Sequence, residues 1–321
     1  MGNSITIDAL RQELWSKELF DDVNRDIANA MKFMGEGPEN IIQVTRELKK
    51  QKGDIQTFGL VTRLTGNGVT GDAELEGNEE AEQSYSEQVA IDQIRHAVRT
   101  TGKLDEQKVT YDMIEKGREL LRTWMSEFMT RQILHKLAGV TNTTLVDTEG
   151  VVVGARCSWS NTPDFIPDAD TAAGTGNRYL SAYAGSAASM PATAKMTLDL
   201  VTKASTKARL CNPKIQPLRT KSGEPFYVMY LHPLQARDIR LSSDWKDAQA
   251  QARERGEANP QFSGALGYWS NVLLLENEFV PWLDVSVAGN SWRGASTGTD
   301  YAVDAAAALL CGRQAVLWAE A

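Results

Sequence analysis

The chain has 321 residues, of which 42% are hydrophobic and 24% charged, and this composition is typical of a globular protein rather than a disordered one. Its length suggests two domains, or one domain with long excursions. The longest apolar run, 305–311, is far shorter than the roughly 20 residues that a membrane span needs. The first residues, MGNSITIDAL, have no basic start followed by an apolar stretch, so we expect neither a membrane protein nor a secreted one.

The formal net charge of −8 is concentrated in one segment. Residues 54–92 contain nine acidic residues and one base, Arg63, whereas acids and bases balance over the rest of the chain. Such a block is usually a solvated surface, and the alternative is a docking surface for a basic partner.

The N-terminal region, residues 5–34, has helical periodicity in pieces, and 35–38 carries two glycines and a proline that end any helix. It could be a packed pair of helices, or an arm that lies on a neighbouring subunit. An amphipathic arm needs a surface on which to bury its apolar stripe. That stripe comprises Leu10, Leu14, Trp15, Leu19, Ile27, Ala30, Met31 and Met34.

Residues 53–94 predict a long β-hairpin with an acidic, glycine-rich tip. Apolar residues alternate through Phe58 and Leu60 on the outgoing strand, and through Val89 and Ile91 on the returning strand. A two-stranded ribbon is marginally stable alone in water, so another surface must cover one of its faces.

Residues 110–138 predict the longest helix, with Thr110 as N-cap and Gly139 at the C-terminal cap. A rod of about 42 Å suits a shell subunit better than a compact enzyme, although an ordinary long core helix is the alternative.

Residues 141–195 look irregular, with short strands at 151–153. The rest of the chain predicts a helix at 198–209, a buried strand at 226–231, one or two helices over 231–255, further strand within 272–287, and at 305–321 either a strand pair or a strand with a helix. The fold class is α+β.

Three motifs resemble chemical sites, but each lacks a required part. Residues 66–71 form GxGxxG, and six acids in the next eleven residues would repel the pyrophosphate that this motif binds. Residues 72–77 mimic the start of a calcium loop, but Gln83 stands where the closing acid belongs. Residues 294–298 match GxSxG, and no histidine follows to act as the base.

The cysteines and histidines are equally uninformative about chemistry. Three cysteines without a CxxC spacing suit free thiols in a reducing compartment, and three widely separated histidines leave no standard zinc site. We therefore predict no metal, no cofactor and no catalytic residues.

Four segments resemble the major capsid proteins of tailed bacteriophages. They are the hairpin tip with its LEGNEE motif, IDQIRHAVRTTGK after it, YVMYLHPLQARDIR at 227–240, and WKDAQAQARERGEANPQFSGALG at 245–267. They occur in the family's order, and mainly 141–195 has no counterpart. The sequence is most similar to the podophage family typified by the phage called N-four.

This resemblance implies the Hong Kong 97-type fold of tailed-phage and herpesvirus shells. Its parts would be an N-terminal arm (1–50), an E-loop β-hairpin (51–103), the spine helix of the P-domain (104–140), and an A-domain with strands returning to the P-domain (141–321). The implied function is self-assembly into pentamers and hexamers of an icosahedral virion shell around double-stranded DNA.

The same resemblance places the inter-subunit contacts on the E-loop, which would lie over the adjacent subunit. Its apolar residues would be buried there, and its acidic tip would meet basic residues of a neighbour. The basic candidates, which the sequence does not rank, are Lys49, Lys50, Lys52, Arg95 and Arg99. The predicted contact residues of the hairpin are Phe58, Leu60, Arg63, Asp72, Glu76, Glu79, Glu80, Val89 and Ile91.

Some relatives join their subunits by an isopeptide bond between a lysine of the E-loop and an asparagine. This chain has no lysine between Lys52 and Lys103, so we expect no covalent cross-link through the loop. The expected partners are other copies of the chain, a separate scaffolding protein, a portal and packaged DNA without sequence-specific binding, and a cement protein is one option for locking the shell. Assembly would take place in the host bacterial cytoplasm.

Three other classes remain as alternatives. An encapsulin-like nanocompartment shell protein would have the same fold and would enclose cargo enzymes. An enzyme would need carboxylates in distinct environments, which the hydrated 72–82 stretch does not offer. A monomeric binding module would leave the hairpin uncovered and prone to aggregation.

Overall fold

The computed structural model describes residues 33–46, 55–61, 68–71, 74, 76–77, 79, 84–90, 96–98, 113–138, 191, 193–211, 214–220, 223–253, 266–283 and 305–319. Helices and strands are both present, as the α+β class requires. In chain order the elements are β1 (Met34–Gly35), β2 (Ile42–Thr45), β3 (Ile55–Val61), β4 (Ser84–Ala90), α1 (Met113–Leu137), α2 (Leu198–Leu210), β5 (Leu218–Arg219), β6 (Pro225–Leu231), α3 (Pro233–Leu241), α4 (Ser243–Arg253), β7 (Gly267–Trp269), β8 (Val272–Glu276), β9 (Trp282–Leu283), β10 (Ala305–Ala306), β11 (Leu309–Cys311) and β12 (Val316–Ala319).

Strand β6 lies at the centre of a five-stranded sheet of order β11–β6–β8–β7, with β5 paired beside the start of β6. It runs parallel to β8 and antiparallel to β11. All six residues from Phe226 to Leu231 are buried, so both faces of the strand are covered. Because side chains alternate along a strand, β6 contributes to two separate apolar clusters. Phe226, Val228 and Tyr230 enter the first cluster, and Tyr227, Met229 and Leu231 enter the second.

The first cluster joins the two ends of the described chain to α1. Ile41 and Ile42 pack there with Ile133 and Leu134 of α1. Strand β2 pairs in parallel with β12, so residues 42–45 lie beside 316–319 in one small sheet with β1. The ion pair between Arg313 and Glu39, at 3.1 Å, lies near this junction.

The second cluster is covered by α2, α3 and α4. Val201, Ile239 and Trp245 come from these three helices in turn. The HPLQ motif begins α3: the Nδ1 of His232 accepts a hydrogen bond from the N–H of Leu234, and the side chain of Gln235 accepts one from the N–H of His232. Pro233 occupies the first turn, where its missing N–H costs nothing. The motif is therefore a helix start signal.

Most predicted elements in the described part of the chain are confirmed. Helix α1 is 25 residues long, about 37 Å. The next described helix along the chain, α2, starts at Leu198, as predicted. The described residues 233–253 form two helices, separated at Ser242, whose hydroxyl donates to the carbonyl of Ile239. The region 305–319 forms short strands without a helix.

One part of the helical stripe was predicted wrongly. Met34 lies in strand β1, after Phe33 at a φ of 70°, and pairs with Ile42. Residues 33–46, assigned from the sequence to the N-terminal arm, contain Ile41 and Ile42 at 0% exposure in the core. The predictions for 5–32, Thr110, Gly139, 151–153 and most of 141–195 lie outside the described residues.

Gly312 is a position where the chain has no room for a side chain. A Cβ added there would meet the backbone oxygen of Gln216 and would lie 2.6 Å from the Cγ2 of Ile215. At Gly37, by contrast, an added Cβ would lie 3.5 Å from the side chain of Asn40, an ordinary contact.

We therefore expect Gly312→Ala to destabilise the fold by about 1–3 kcal/mol, because a backbone carbonyl cannot move aside as a side chain can. Gly37→Ala is the matched control and should change the free energy of unfolding by less than about 0.5 kcal/mol. Denaturant unfolding of the two variants checks the difference. Equal stability of both variants would contradict the packing at Gly312.

His135 and Gln132 are polar residues buried on one side of α1, at 3% and 8% exposure. Among the described residues, the Nδ1 of His135 and both amide atoms of Gln132 have no hydrogen-bond partner. Burial, with a smaller contribution from the charge of Arg131, lowers the pKa of His135 to about 4. Protonating this imidazole would place an uncompensated charge inside the protein.

Acidification should therefore destabilise the chain between pH 6.5 and 4. In that window the unfolded state binds a proton that the folded state does not, so stability falls as the pH falls, by up to about 3 kcal/mol for this residue. His135→Leu should lose less stability than the wild type over this range, as measured by urea unfolding at pH 7 and pH 4.5. The pKa of His232 is also lowered by burial, but His232 is present in both proteins. Identical pH dependence of the two proteins would contradict the prediction.

Candidate functional site

The predicted β-hairpin is confirmed as a two-stranded antiparallel ribbon. Strands β3 and β4 pair over seven residues each, from Ile55 opposite Ala90 to Val61 opposite Ser84. In the part of the chain that the structure describes, this sheet has these two strands alone.

The register divides the ribbon into two unlike faces. Residues directly opposite in an antiparallel pair lie on the same face, and neighbours along a strand lie on opposite faces. Phe58 is opposite Glu87, Leu60 is opposite Tyr85, and Gln56 is opposite Val89, so these six positions share one face. The other face holds Ile55, Thr57, Gly59, Val61, Ser84, Ser86, Gln88 and Ala90. The first face carries two aromatic and two aliphatic residues, together with Gln56 and Glu87. The second face has no aromatic residue, most of its residues are small or polar, and its Thr57 is exposed.

The tip of the ribbon is acidic and built on glycines. Gly68, Gly71 and Gly77 have φ values of 67°, 73° and 87°, a region that glycine enters without strain. The N–H of Gly77 donates to the carboxylate of Glu79 at 2.9 Å, which closes the turn inside LEGNEE. Glu74, Glu76 and Glu79 are all exposed. The tip therefore presents negative charge to its surroundings.

The chain that returns from the ribbon is attached to α1. The ring of His96 lies 4.3 Å from that of Trp124, centroid to centroid, and Trp124 stacks on Phe128 at 5.3 Å. Val98 approaches Gly117, where an added Cβ would lie 3.6 Å from the Cγ1 of the valine. The long helix is thus the support on which this end of the hairpin rests.

The described residues therefore include part of the predicted contact set. Phe58, Leu60 and Val89 share a face of the ribbon, and Glu76 and Glu79 lie together at its tip. The other members and the basic candidates lie outside the described residues; these are Arg63, Asp72, Glu80, Ile91, Lys49, Lys50, Lys52, Arg95 and Arg99.

Catalytic chemistry finds no support in the described part of the chain. Those residues include no group of three or more histidine, cysteine or acidic side chains placed to hold a metal ion. The next described element after the GxGxxG glycines is strand β4, whereas a dinucleotide site needs a helix there. The GxSxG segment at 294–298 lies outside the described residues. Among the described helices, none is long and apolar enough to cross a membrane.

The outward face of α2 is a surface that sequence reasoning missed. Leu210, at its C-terminal end, is 77% exposed although it is a large apolar residue. An open groove of about 400 Å³ lies beside it. The helical periodicity of 198–209 identifies the buried stripe, but a leucine on the opposite face is a weak signal without the structure.

Comparisons with known proteins identify the family. The model of the phage capsid protein family matches residues 4–320. The major capsid protein of Pseudomonas phage KPP25 is 28% identical over 317 residues, which cover 97% of this chain and 81% of that protein.

Solved capsid structures are similar to this chain. The capsid of Ralstonia phage GP4 has a TM-score of 0.70 and 26% identity, over 91% of this chain and 76% of the other. The capsid asymmetric unit of cyanophage Pam1 has a TM-score of 0.58 and 20% identity, over 77% of this chain and 68% of the other, which supports the fold. The chain belongs to the phage capsid protein family: it is a phage major capsid protein, a component of the virion that assembles with copies of itself into the shell, and not an enzyme.

Proposed function

We propose that this chain assembles into pentamers and hexamers of an icosahedral shell around the double-stranded DNA of a tailed phage, with a Hong Kong 97-type fold. In that fold the ribbon β3–β4 is the E-loop and α1 is the spine helix of the P-domain. The small sheet β1–β2–β12 and the larger sheet around β6 belong to the P- and A-domains. The similarity to phage capsid structures supports this assignment.

The observation that carries the proposal is the two-faced ribbon. Phe58, Leu60, Tyr85 and Val89 share a face, and the described sheet holds only β3 and β4. A lone ribbon with an apolar face is marginal in water, so a neighbouring subunit is the natural cover. The contact is heterologous, because the ribbon of one copy meets a different surface of the next, and such contacts close into rings.

The proposed contact residues fall into two groups with different roles. Phe58, Leu60, Val89 and Ile91 provide apolar area, whereas Arg63, Asp72, Glu76, Glu79 and Glu80 provide charge at the tip. Charged contacts between exposed groups are screened by salt, and apolar contacts are not. High salt should therefore weaken the tip contact more than the ribbon contact.

Assembly also needs other components. We propose a separate scaffolding protein and a portal, with a cement protein as one route to locking the shell, and assembly in the host cytoplasm. The DNA is enclosed without sequence-specific contacts. Membership of a phage capsid family favours this function over a nanocompartment shell.

Phe58→Asp tests the ribbon contact against Thr57→Asp, at the exposed neighbour that lies on the other face of the ribbon. The first places a charge on the face to be buried, so shells, rings of five or six, and tubes should all be lost. The second should assemble like the wild type. The measurement is negative-stain electron microscopy after size-exclusion chromatography, with each chain alone and with a candidate scaffolding protein.

Circular dichroism melting should show both variants folded, because β3 and β4 form a sheet separate from that of β6. A wild-type chain that stays a clean monomer under both conditions would overturn the shell proposal. Normal shells from Phe58→Asp would instead overturn only the role of this face.

Purified shells boiled in SDS should release a monomer near 35.3 kDa on a denaturing gel. No lysine lies between Lys52 and Lys103, so the E-loop offers no amine for an isopeptide bond. A ladder of covalent multimers that survives boiling and reducing agent would contradict this expectation.

A further inference from the structure

Helix α2 has a buried face and an outward face of unusual composition. Its core stripe consists of Leu198, Val201, Ser205 and Ala208. On the opposite side Lys203, Thr206, Lys207 and Leu210 follow one another at spacings of three, one and three residues, which places them on one face. Leu210 is the most exposed of the large apolar side chains among the described residues, at 77%. Packing in the core therefore does not explain why an apolar residue occupies position 210.

An open groove of about 400 Å³ runs along this face. Its lining combines a leucine, a cysteine, two threonines and two lysines. The lining residues are Thr202, Lys203, Thr206, Lys207, Leu210 and Cys211. Cationic groups thus flank an exposed apolar side chain, an arrangement suited to an anionic protein segment.

The charge around the groove is positive. Residues 198–214 contain four basic residues and one acid, Asp199, for a net charge of +3. Lys203 pairs with Asp199 at 2.6 Å, but both side chains are mostly exposed. Such surface pairs contribute little, so Lys203 can exchange Asp199 for another carboxylate.

We infer that this face of α2, defined by Lys203, Lys207 and Leu210, is the docking site for the acidic hairpin tip of a neighbouring copy. The inference rests on the proposed function, in which the ribbon crosses to another subunit. Charge complementarity carries it: the segment 54–92 has a net charge of −8, and Glu76 and Glu79 are exposed at its tip. Since this segment holds the whole charge imbalance of the chain, a basic surface on the next copy offsets part of its negative charge.

Zero-length cross-linking of assembled shells tests the contact directly. Shells are formed from equal amounts of unlabelled and ¹⁵N-labelled chain and treated with a water-soluble carbodiimide, which joins a lysine amine to a carboxylate in contact with it. Mass spectrometry should find Lys203 or Lys207 joined to Glu76 or Glu79 in mixed-isotope pairs, which only different copies can give. The yield should fall as salt is raised. Shells that contain no such pairs, or only same-isotope pairs, overturn the inference.

A charge swap provides the second test. Lys203→Glu with Lys207→Glu should lower the shell yield about tenfold, through repulsion between like charges. Adding Glu76→Lys and Glu79→Lys to that variant should restore the yield. Lys246→Glu, on the exposed side of α4, is the matched control and should assemble normally. Melting curves confirm that each variant is folded.

The outcomes separate the two levels of the proposal. Absence of any wild-type assembly overturns the proposed function and this inference with it. Normal shells from the double lysine variant, or no rescue by the reversed tip, overturn the inference alone. If shells of the double lysine variant form normally but bind duplex DNA more weakly in a gel-shift assay, the groove binds phosphate groups instead of the hairpin tip. That result also overturns the inference.

Discussion

The burial of β6 on both faces is the constraint on which the described fold depends. A strand whose side chains alternate cannot hide six consecutive residues unless a layer covers each face. One layer brings α1 and the strands near both chain ends, and the other brings α2, α3 and α4. Each large side chain buried in this way stabilises the fold by about 1.5–3 kcal/mol, so Tyr230 and Leu231 at the strand's end fix both layers at once.

The ribbon β3–β4 presents the opposite situation. Its strands pair antiparallel, as β6 does with β11, but its described sheet has no third strand. In the proposed assembly, the next copy covers the face that Phe58 and Leu60 share.

The net charge is also distributed unequally between the hairpin segment and the rest of the chain. The hairpin segment 54–92 carries the net charge of −8, while acids and bases balance over the rest of the chain. In the proposed assembly, repulsion between acidic tips favours their contact with positive surfaces. The attachment of His96 and Val98 to α1 gives the ribbon a fixed base, and the position of the tip then depends on the long helix as well as on charge. The ribbon is thus supported by α1 at its base, carries the face with Phe58 and Leu60 along its strands, and carries the negative charge at its tip.

Local periodicity was enough to predict α1, α2, the central strand and the hairpin, because their patterns repeat within the reach of a few residues. The acidic tip could also be predicted, since charge is read directly from the sequence, and the HPLQ and LEGNEE motifs carried the resemblance to phage capsids. The parallel pairing of β2 with β12 joins residues about 270 positions apart, and no local pattern encodes it. Met34 was assigned to a helix because it continues the apolar stripe of the preceding residues, but its pairing with Ile42 makes it a strand residue. The exposed Leu210 became visible only when tertiary packing showed which side of α2 faces the core, because a helix's own sequence does not record what covers it.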